Sequence, residues 1–417
     1  MIHMGRQQTD IFISGGGVAG LTAAAAFGAA GFNVTIADPA PPITDQNHRG
    51  ADLRTTAFLQ PARRLLEQAG IWPMLAPYAA PLQIMRIADA AGQNINVADF
   101  DASDISDLPF GWNLPNWLLR REMTARLDAL PNVTFLSGIG FDSLLSRSNY
   151  AVVRLTNGQQ IEAKLVIGAD GRHSPVRQAV GITTQVTRYG QKALTFAVTH
   201  DAPHDNISTE VHQSGGPFTL VPLPDHDGKP CSAVVWMDDG AAVADRMTLT
   251  DAELARAELS QDAFNVTATE RSANLYGRLA LVGRRSVWPI ISQIADTITA
   301  PRVALIAEAA HVLPPIGAQG LNMSLADIAT LLDLCAANRD DPGAPYVLDQ
   351  YARARHPDIK LRIAGINALN RASQTNNPML QSLREKGIAM IVGAAPIRRR
   401  LMSLGLGAAT STDDQST

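Results

Sequence analysis

Cysteine is nearly absent from this chain: Cys231 and Cys335 are the only two among 417 residues. A pair so far apart cannot form a disulfide framework or a CxxC zinc site, so a reducing, cytoplasmic compartment and no metal are expected. Basic charge is not in excess either. The balance of 35 Lys and Arg against 39 Asp and Glu leaves −4, which argues against a general nucleic-acid partner. No apolar run reaches the eighteen or so residues needed to cross a bilayer. The first ten residues are polar and the run from Ile11 is broken by three glycines, so no export signal is expected. Internal repeats and long low-complexity segments are also lacking. What remains is an ordinary globular balance, 46% hydrophobic and 18% charged. That is enough apolar surface for a large core and, at roughly 150 residues per domain, for two or three domains.

The clearest local signal is at the start. Asp10–Ser14 suits a buried parallel strand, and Gly15-Gly16-Gly17-Val18-Ala19-Gly20 follows it. An alanine-rich helix then runs to about Ala30 and is closed by Gly31, and Phe32–Ala37 forms a second strand ending at Asp38. Further on, Arg54 precedes a helix reaching Ala69, and Pro115-Asn116 precede a helix carrying Arg120 and Arg121. Ala151–Thr156 and Gln160–Ile167 flank Asn157-Gly158, a strong hairpin signal. From about 185 to 290, strand-like runs (194–199, 219–222, 233–237) alternate with turns, and Thr250-x-x-Glu253 reads as a capping box. Arg302–Ile306 is another buried strand, followed by a helix over about 322–336, a mostly helical remainder and a polar tail at 410–417.

Three stretches carry chemistry. Gly15-x-Gly17-x-x-Gly20 lies between a strand and a helix, with Asp38 at the end of the next strand. The first glycine permits the tight turn, the second lets backbone approach a diphosphate, and the third allows close helix–strand packing. The helix start, Val18 and Ala19 included, offers free N–H groups and partial positive charge to the diphosphate, while Asp38 suits a ribose hydroxyl. Asp170-Gly171, in a stretch that includes Arg172 and Arg177, occupies a second strand end and can meet a ribose or diphosphate through water. The third stretch runs from Ala307-Glu308 through Pro315 to Gly320-Leu321-Asn322. Glu308 can bond a polyol chain. A flavin set against Gly320-Leu321-Asn322 would have its N1–C2=O edge at a positive helix end.

In this order the three stretches resemble the flavin-dependent aromatic hydroxylases (group A flavoprotein monooxygenases), and most of all the ubiquinone-biosynthesis hydroxylase family. GGGVAG resembles that family's first nucleotide motif, GADGRHSPVR its Asp-Gly motif and AEAAHVLPPIGAQGLN its flavin–ribityl motif. The resemblance also covers Arg54 in ADLRTTAF and Leu348-Asp349-Gln350-Tyr351 with Arg355, and it is weakest over 185–285 and after 370. Arg121, with Arg120 as the alternative, matches the arginine that approaches the ribityl and phosphate region. The chain departs from the family by having Ala307-Glu308 for Gly-Asp, and Ala318-Gln319-Gly320 for Gly-Gln-Gly.

The resemblance implies an α/β fold. A discontinuous Rossmann-like FAD-binding domain would comprise 1–80, 115–182 and 286–345. A smaller antiparallel-sheet substrate domain would comprise 81–114 and 183–285, and a helical C-terminal region 346–417. The implied cofactor is FAD, held by Gly15, Gly17, Val18, Ala19, Gly20, Asp38, Arg54, Arg121, Asp170, Gly171, Glu308, Pro315, Gly320, Leu321 and Asn322. The implied reaction adds an oxygen atom from O₂, through a flavin C4a-hydroperoxide, to the ring of a polyprenyl phenol on the way to ubiquinone. The cofactor performs the difficult chemistry, so no catalytic triad is needed and no catalytic side chain is assigned. His311, lying among small apolar residues, is read as structural.

The electron donor stays open between NAD(P)H and a protein reductant, as does the oligomeric state. Gly387–Ile397, followed by Arg398, Arg399 and Arg400, either lies on the inner face of the membrane, near other quinone-biosynthesis proteins, or packs on the protein itself. Two other functions are weighed: a hydroxylase of a small soluble aromatic, and a flavin-poor accessory subunit of a quinone-biosynthesis complex.

Overall fold

The computed structural model describes residues 7–90, 94–213, 216–247 and 257–373, with the single positions 399 and 402. The expected capping box at Thr250 and most of the 387–400 stretch lie outside these residues. No helix among the described residues is long and apolar enough to cross a membrane.

The apolar run near the N-terminus forms the strand Gln7–Ser14 at the centre of an eight-stranded sheet. It pairs in parallel with Val34–Asp38 on one side and Gln160–Gly168 on the other. Val133–Ser137 and Val303–Leu305 extend the parallel array outward. Ile11, Phe12, Ile13, Leu165, Val166 and Ile167 are all fully buried, as expected of strands covered on both faces. The helix Val18–Ala29 is buried on almost every side because its alanines let it lie close to the sheet. The expected hairpin is present, with Ala151–Leu155 antiparallel to Gln160–Gly168.

The second sheet also has eight strands, in the order 311–312, 279–295, 184–200, 229–239, 217–226, 207–212, 84–89, 96–101. It is antiparallel except for one parallel pair, Ile84–Asp89 beside Ile207–His212. Its own core is aromatic: Phe196 meets Phe264 at 5.0 Å, and Phe218 meets Trp236 at 5.4 Å between ring centres. Leu279–Ala295 runs unbroken past the boundary expected at 285/286. A third, three-stranded sheet, built from Thr55–Leu59, Gly111–Pro115 and Ala80–Leu82, packs on 217–226 of the second sheet and on the helix 319–336. The strand Thr55–Leu59 stands where the sequence suggested that a helix follows Arg54 directly; that helix is confined to Gln60–Gln68. Pairing with Gly111–Pro115, far away in sequence, decides the conformation of 55–59.

Two C-terminal helices close the structure. Gln319–Ala336 begins three residues earlier than expected because Ala318 takes a left-handed conformation and sets the turn there. Pro345–Ser373 packs against it. Asp327, fully buried, ties them together. Its carboxylate accepts from Arg355 Nε at 2.9 Å and from His311 Nε2 at 2.7 Å, with the Ala307 N–H at 3.3 Å. His311 therefore faces inward as a positioning residue for the loop that carries Glu308. Tyr351 adds a buried hydroxyl bond to the Leu305 carbonyl at 2.9 Å.

Replacing Asp327 with Ala leaves the Arg355 guanidinium buried without its main counter-charge, a loss of about 3–5 kcal/mol. Urea unfolding of wild type and Asp327→Ala at neutral pH measures it. A change below about 1 kcal/mol would show that the pair is not what holds the helices together.

Candidate active site: a cofactor cleft at the strand ends

The parallel strands of the first sheet end side by side. Ser14 is in register with Gly168, and Gly168 with Leu305. The turns that follow these ends are the three stretches singled out in the sequence. Main-chain bonds join them: Ala169 N–H to Ser14 O at 2.8 Å and Ile306 N–H to Gly168 O at 3.0 Å.

Gly15 has φ +110°, and a Cβ there would lie 2.4 Å from the Ala169 carbonyl oxygen. The first two turns can touch only because position 15 has no side chain. At Gly20 a Cβ would fall 1.9 Å from the Gly15 carbonyl oxygen, the close helix–strand contact expected of the third glycine. Gly17 is different. Nothing lies within 4 Å of the place a Cβ would take, and the same is true of Gly171 and Gly320. These three face open space.

Gly17 caps the first helix with no side-chain bond. The N–H groups of Val18, Ala19 and Gly20, in the first turn, therefore have no intrahelical acceptor. Asp38 accepts from the Gly16 N–H at 2.5 Å and from the Ala40 N–H at 2.8 Å. A carboxylate has about four lone-pair sites, so capacity remains. Asp170 Oδ2 accepts from Ser14 Oγ and the Val176 N–H, each at 3.1 Å, while its Oδ1 is buried without a partner. Burial raises the Asp170 carboxyl above the usual carboxylate range, against the opposing hydrogen bonds.

Arg54 lies over the Trp288 ring at 3.8 Å and donates to both Asp52 oxygens, at 2.8 and 2.7 Å. Burial alone would lower its pKa, but the bonds and charge of Asp52, and the field of Glu308, raise it. Asp52 is moved the other way: burial opposes, and Arg54 and Asn116 overcome it. Glu308 itself is exposed.

On the helix Asn116–Asp128, Arg121 is engaged with Glu122 at 2.7 Å and lies over Tyr78 and Trp117. Arg120 Nε is buried with no partner. Sequence reasoning ranked Arg121 first; the structure leaves Arg120 with the unmet donor.

Pro315, Gly317 and Ala318 form an exposed turn before Gly320 and Leu321. The neighbouring Ile316 packs on Ala193, Met237 and Ile290 of the second sheet. The side chain of Asn322 is fully engaged with the three-stranded sheet and its own turn: it donates to Ala57 O at 2.8 Å and Ala318 O at 2.6 Å, and accepts from the Leu59 N–H at 2.9 Å. Only its backbone faces the helix start. Asp52, Trp288 and Ser14 carried no local sequence signal. Each acts through a partner that pattern reading does not pair it with.

The donor set fits FAD: an orphaned carboxylate oxygen at Asp170, an orphaned Arg120 donor, and helix starts at Gly17 and Gly320 opening onto free space. Comparison with known proteins agrees. The FAD binding domain family matches residues 8–365. The chain is 32% identical over 402 residues to the ubiquinone hydroxylase UbiL of Rhodospirillum rubrum, covering 95% of this chain and 89% of that protein. It is 27% identical to the 3-demethoxyubiquinol 3-hydroxylase of Escherichia coli, covering 97% and 100%. In fold it resembles the p-nitrophenol 4-monooxygenase PnpA of Pseudomonas putida, with TM-score 0.78, 19% identity and coverage of 96% and 99%. The chain belongs to the FAD-binding flavoprotein monooxygenases and, within them, to the ubiquinone-biosynthesis hydroxylase family of FAD-dependent aromatic hydroxylases. It is an enzyme, and its cofactor is FAD.

Both departures from the family motif fall on left-handed backbone, Ala307 and Ala318 each at φ +55°. An L-residue there costs about 1–2 kcal/mol that glycine avoids. Ala307→Gly and Ala318→Gly are each expected to stabilise the protein by roughly 0.5–1 kcal/mol after the greater unfolded-chain entropy of glycine is counted. Urea unfolding of the two variants measures this, and destabilisation by both would contradict it.

Proposed function

We propose that this protein hydroxylates the aromatic ring of a polyprenyl-phenol intermediate of ubiquinone biosynthesis, with O₂ as the oxygen source. The single observation that supports the reading is that the three turns follow strand ends standing side by side in one parallel sheet. It is supported by full-length similarity to proteins named ubiquinone hydroxylase and 3-demethoxyubiquinol 3-hydroxylase.

The bound FAD supplies the oxygen activation and transfer. The chain's residues bind and orient it. The free N–H groups of Val18, Ala19 and Gly20, with the backbone of Gly15 and Gly17, hold the diphosphate through the partial positive charge of the helix start. Asp38 takes a ribose hydroxyl. Asp170 Oδ1 accepts from the cofactor directly or through a water held beside Gly171. Glu308 takes a ribityl hydroxyl, and Arg54, fixed by Asp52 and Trp288, sets the positive charge opposite it. The N–H groups of Gly320, Leu321 and Asn322 would stabilise negative charge on the bound flavin, with Pro315 shaping the turn before them. Arg120 rather than Arg121 gives the guanidinium for the ribityl and phosphate region. The first sheet and the helix Gln319–Ala336 form the cofactor side of the cleft. The second sheet, through residues such as Trp288, would keep water from the bound cofactor.

Charge-assisted bonds of this kind are worth about 1.5–3 kcal/mol. Arg120→Ala should therefore weaken FAD binding roughly ten- to hundredfold. Arg121→Ala, which removes a side chain already engaged by Glu122, should change it less than about threefold. Titration of apoprotein with FAD, read by flavin fluorescence, decides between them; a larger loss in Arg121→Ala restores that residue to the site.

The function itself is tested by profiling quinone intermediates by mass spectrometry in a strain deleted for the gene. Accumulation of a polyprenyl phenol one oxygen short is the expected result. An unchanged quinone pool would remove ubiquinone synthesis as the role. A purified protein that stays colourless after incubation with FAD would favour the accessory-subunit reading.

A further inference from the structure

Beyond the Asp170-Gly171 turn, the residues that follow it meet two strands of the second sheet and leave an open groove of about 490 Å³. Its rim is cationic: Arg172 and Arg188 border it, and no acidic side chain is among the described lining residues. The side chains of Arg172 and Arg188 have no hydrogen-bond or ion-pair partner among the described residues. The acid closest in register, Asp296, is bound by Thr183 and Gln185. Those two residues alternate to the face opposite Thr184, Val186 and Arg188.

The floor is apolar. Val186 is 42% exposed, one of the few large hydrophobic side chains left in solvent. Pro289 and Ile291 continue the floor, and Ile291 stands directly across from Arg188 in the strand pair. Over 184–188 the strand has no paired strand on its other side among the described residues, because Lys229–Asp239 joins it only from Gln191. The groove is therefore open along one edge.

The rim is also pre-set. The Arg172 carbonyl accepts from Arg177 at 2.7 Å and from Gln293 at 3.0 Å, and Arg177 donates a further bond to Ala309 O at 2.8 Å. The turn that presents Arg172 is thus fixed before any ligand arrives, which lowers the ordering cost of binding.

We propose that this groove seats the phosphate headgroup of an anionic phospholipid, and so forms the contact through which the protein lies on a membrane surface. Charge complementarity selects a phosphate-bearing partner. The apolar floor and open edge select a lipid over a free phosphate: an inorganic anion gains nothing from the exposed Val186 and Pro289, whereas the glycerol and upper acyl carbons of a lipid bury them. The inference goes beyond the hydroxylation reading and uses it only in that a polyprenyl phenol resides in a bilayer.

The test is co-sedimentation of the FAD-loaded full chain with phosphatidylcholine vesicles, with and without phosphatidylglycerol. Wild type is expected to sediment preferentially with the phosphatidylglycerol vesicles. Each arginine near an anionic surface contributes a factor of about five in partitioning, so Arg172→Gln with Arg188→Gln should lower binding on the order of twenty-five-fold. Val186→Ser should weaken it further, and the combined variant Arg398→Ala, Arg399→Ala, Arg400→Ala should bind as wild type does. Retained flavin absorbance in each variant shows that the fold is intact.

Equal sedimentation of wild type with both vesicle types overturns the proposal, as does wild-type partitioning by the Arg172/Arg188 variant. So does a saturable thermal shift of wild type with inorganic phosphate or pyrophosphate alone that Arg188→Gln abolishes, since it would reassign the groove to a free anion. Vesicle binding is read without turnover, so its failure leaves the hydroxylation reading to the quinone profile.

Discussion

The site depends on the contact between two turns that only a residue without a side chain permits. At Gly15 any Cβ would overlap the Ala169 carbonyl, and at Gly20 any Cβ would overlap Gly15 itself. These exclusions bring the end of the first strand against the Asp170 turn, with the N-terminus of the first helix close to both. The register Ser14, Gly168, Leu305 then brings Glu308 to the same edge of the sheet. A parallel sheet collects the ends of distant segments at one side, and a long cofactor can span them.

Around that edge the electrostatics are arranged in fixed pairs. Arg54 is held between Asp52 and the Trp288 ring, so its charge is presented to Glu308 in one place at little entropic cost. Asp170 keeps one oxygen committed and one unmet, at the expense of a raised pKa. The two thiols take no part: burial pushes Cys231 up to about 11 and Cys335 up to about 12, which leaves them protonated near neutral pH.

Much of this was legible in the sequence where the cause is local. The strand–glycine turn–helix unit, the Asn-Gly hairpin, the strand around 303–305 and the left-handed Gly31 rest on residues a few positions apart. What escaped rests on partners far away. Thr55–Leu59 is a strand because Gly111–Pro115 pairs with it. The parallel pair inside the second sheet joins segments more than a hundred residues apart, where alternating patterns give no direction. The choice between Arg120 and Arg121 is a choice between faces of a helix. Sequence places both side by side; it takes Glu122, Tyr78 and Trp117 to show which one is already occupied. Asp327 reads as one more acid on a helix until Arg355 and His311 are seen beside it.

The segment 306–318 is stitched at two points to different sheets. Its start bonds to Gly168 of the first sheet, while His311 and Val312 pair with Ile294 and Gln293 of the second. A shift of one sheet against the other acts on this short strap, and the strap carries both Glu308 and the turn leading to Gly320. The loop bearing Glu308 and the edge of the second sheet are therefore geared together: a shift of that sheet also re-aims the loop, and neither can be moved alone.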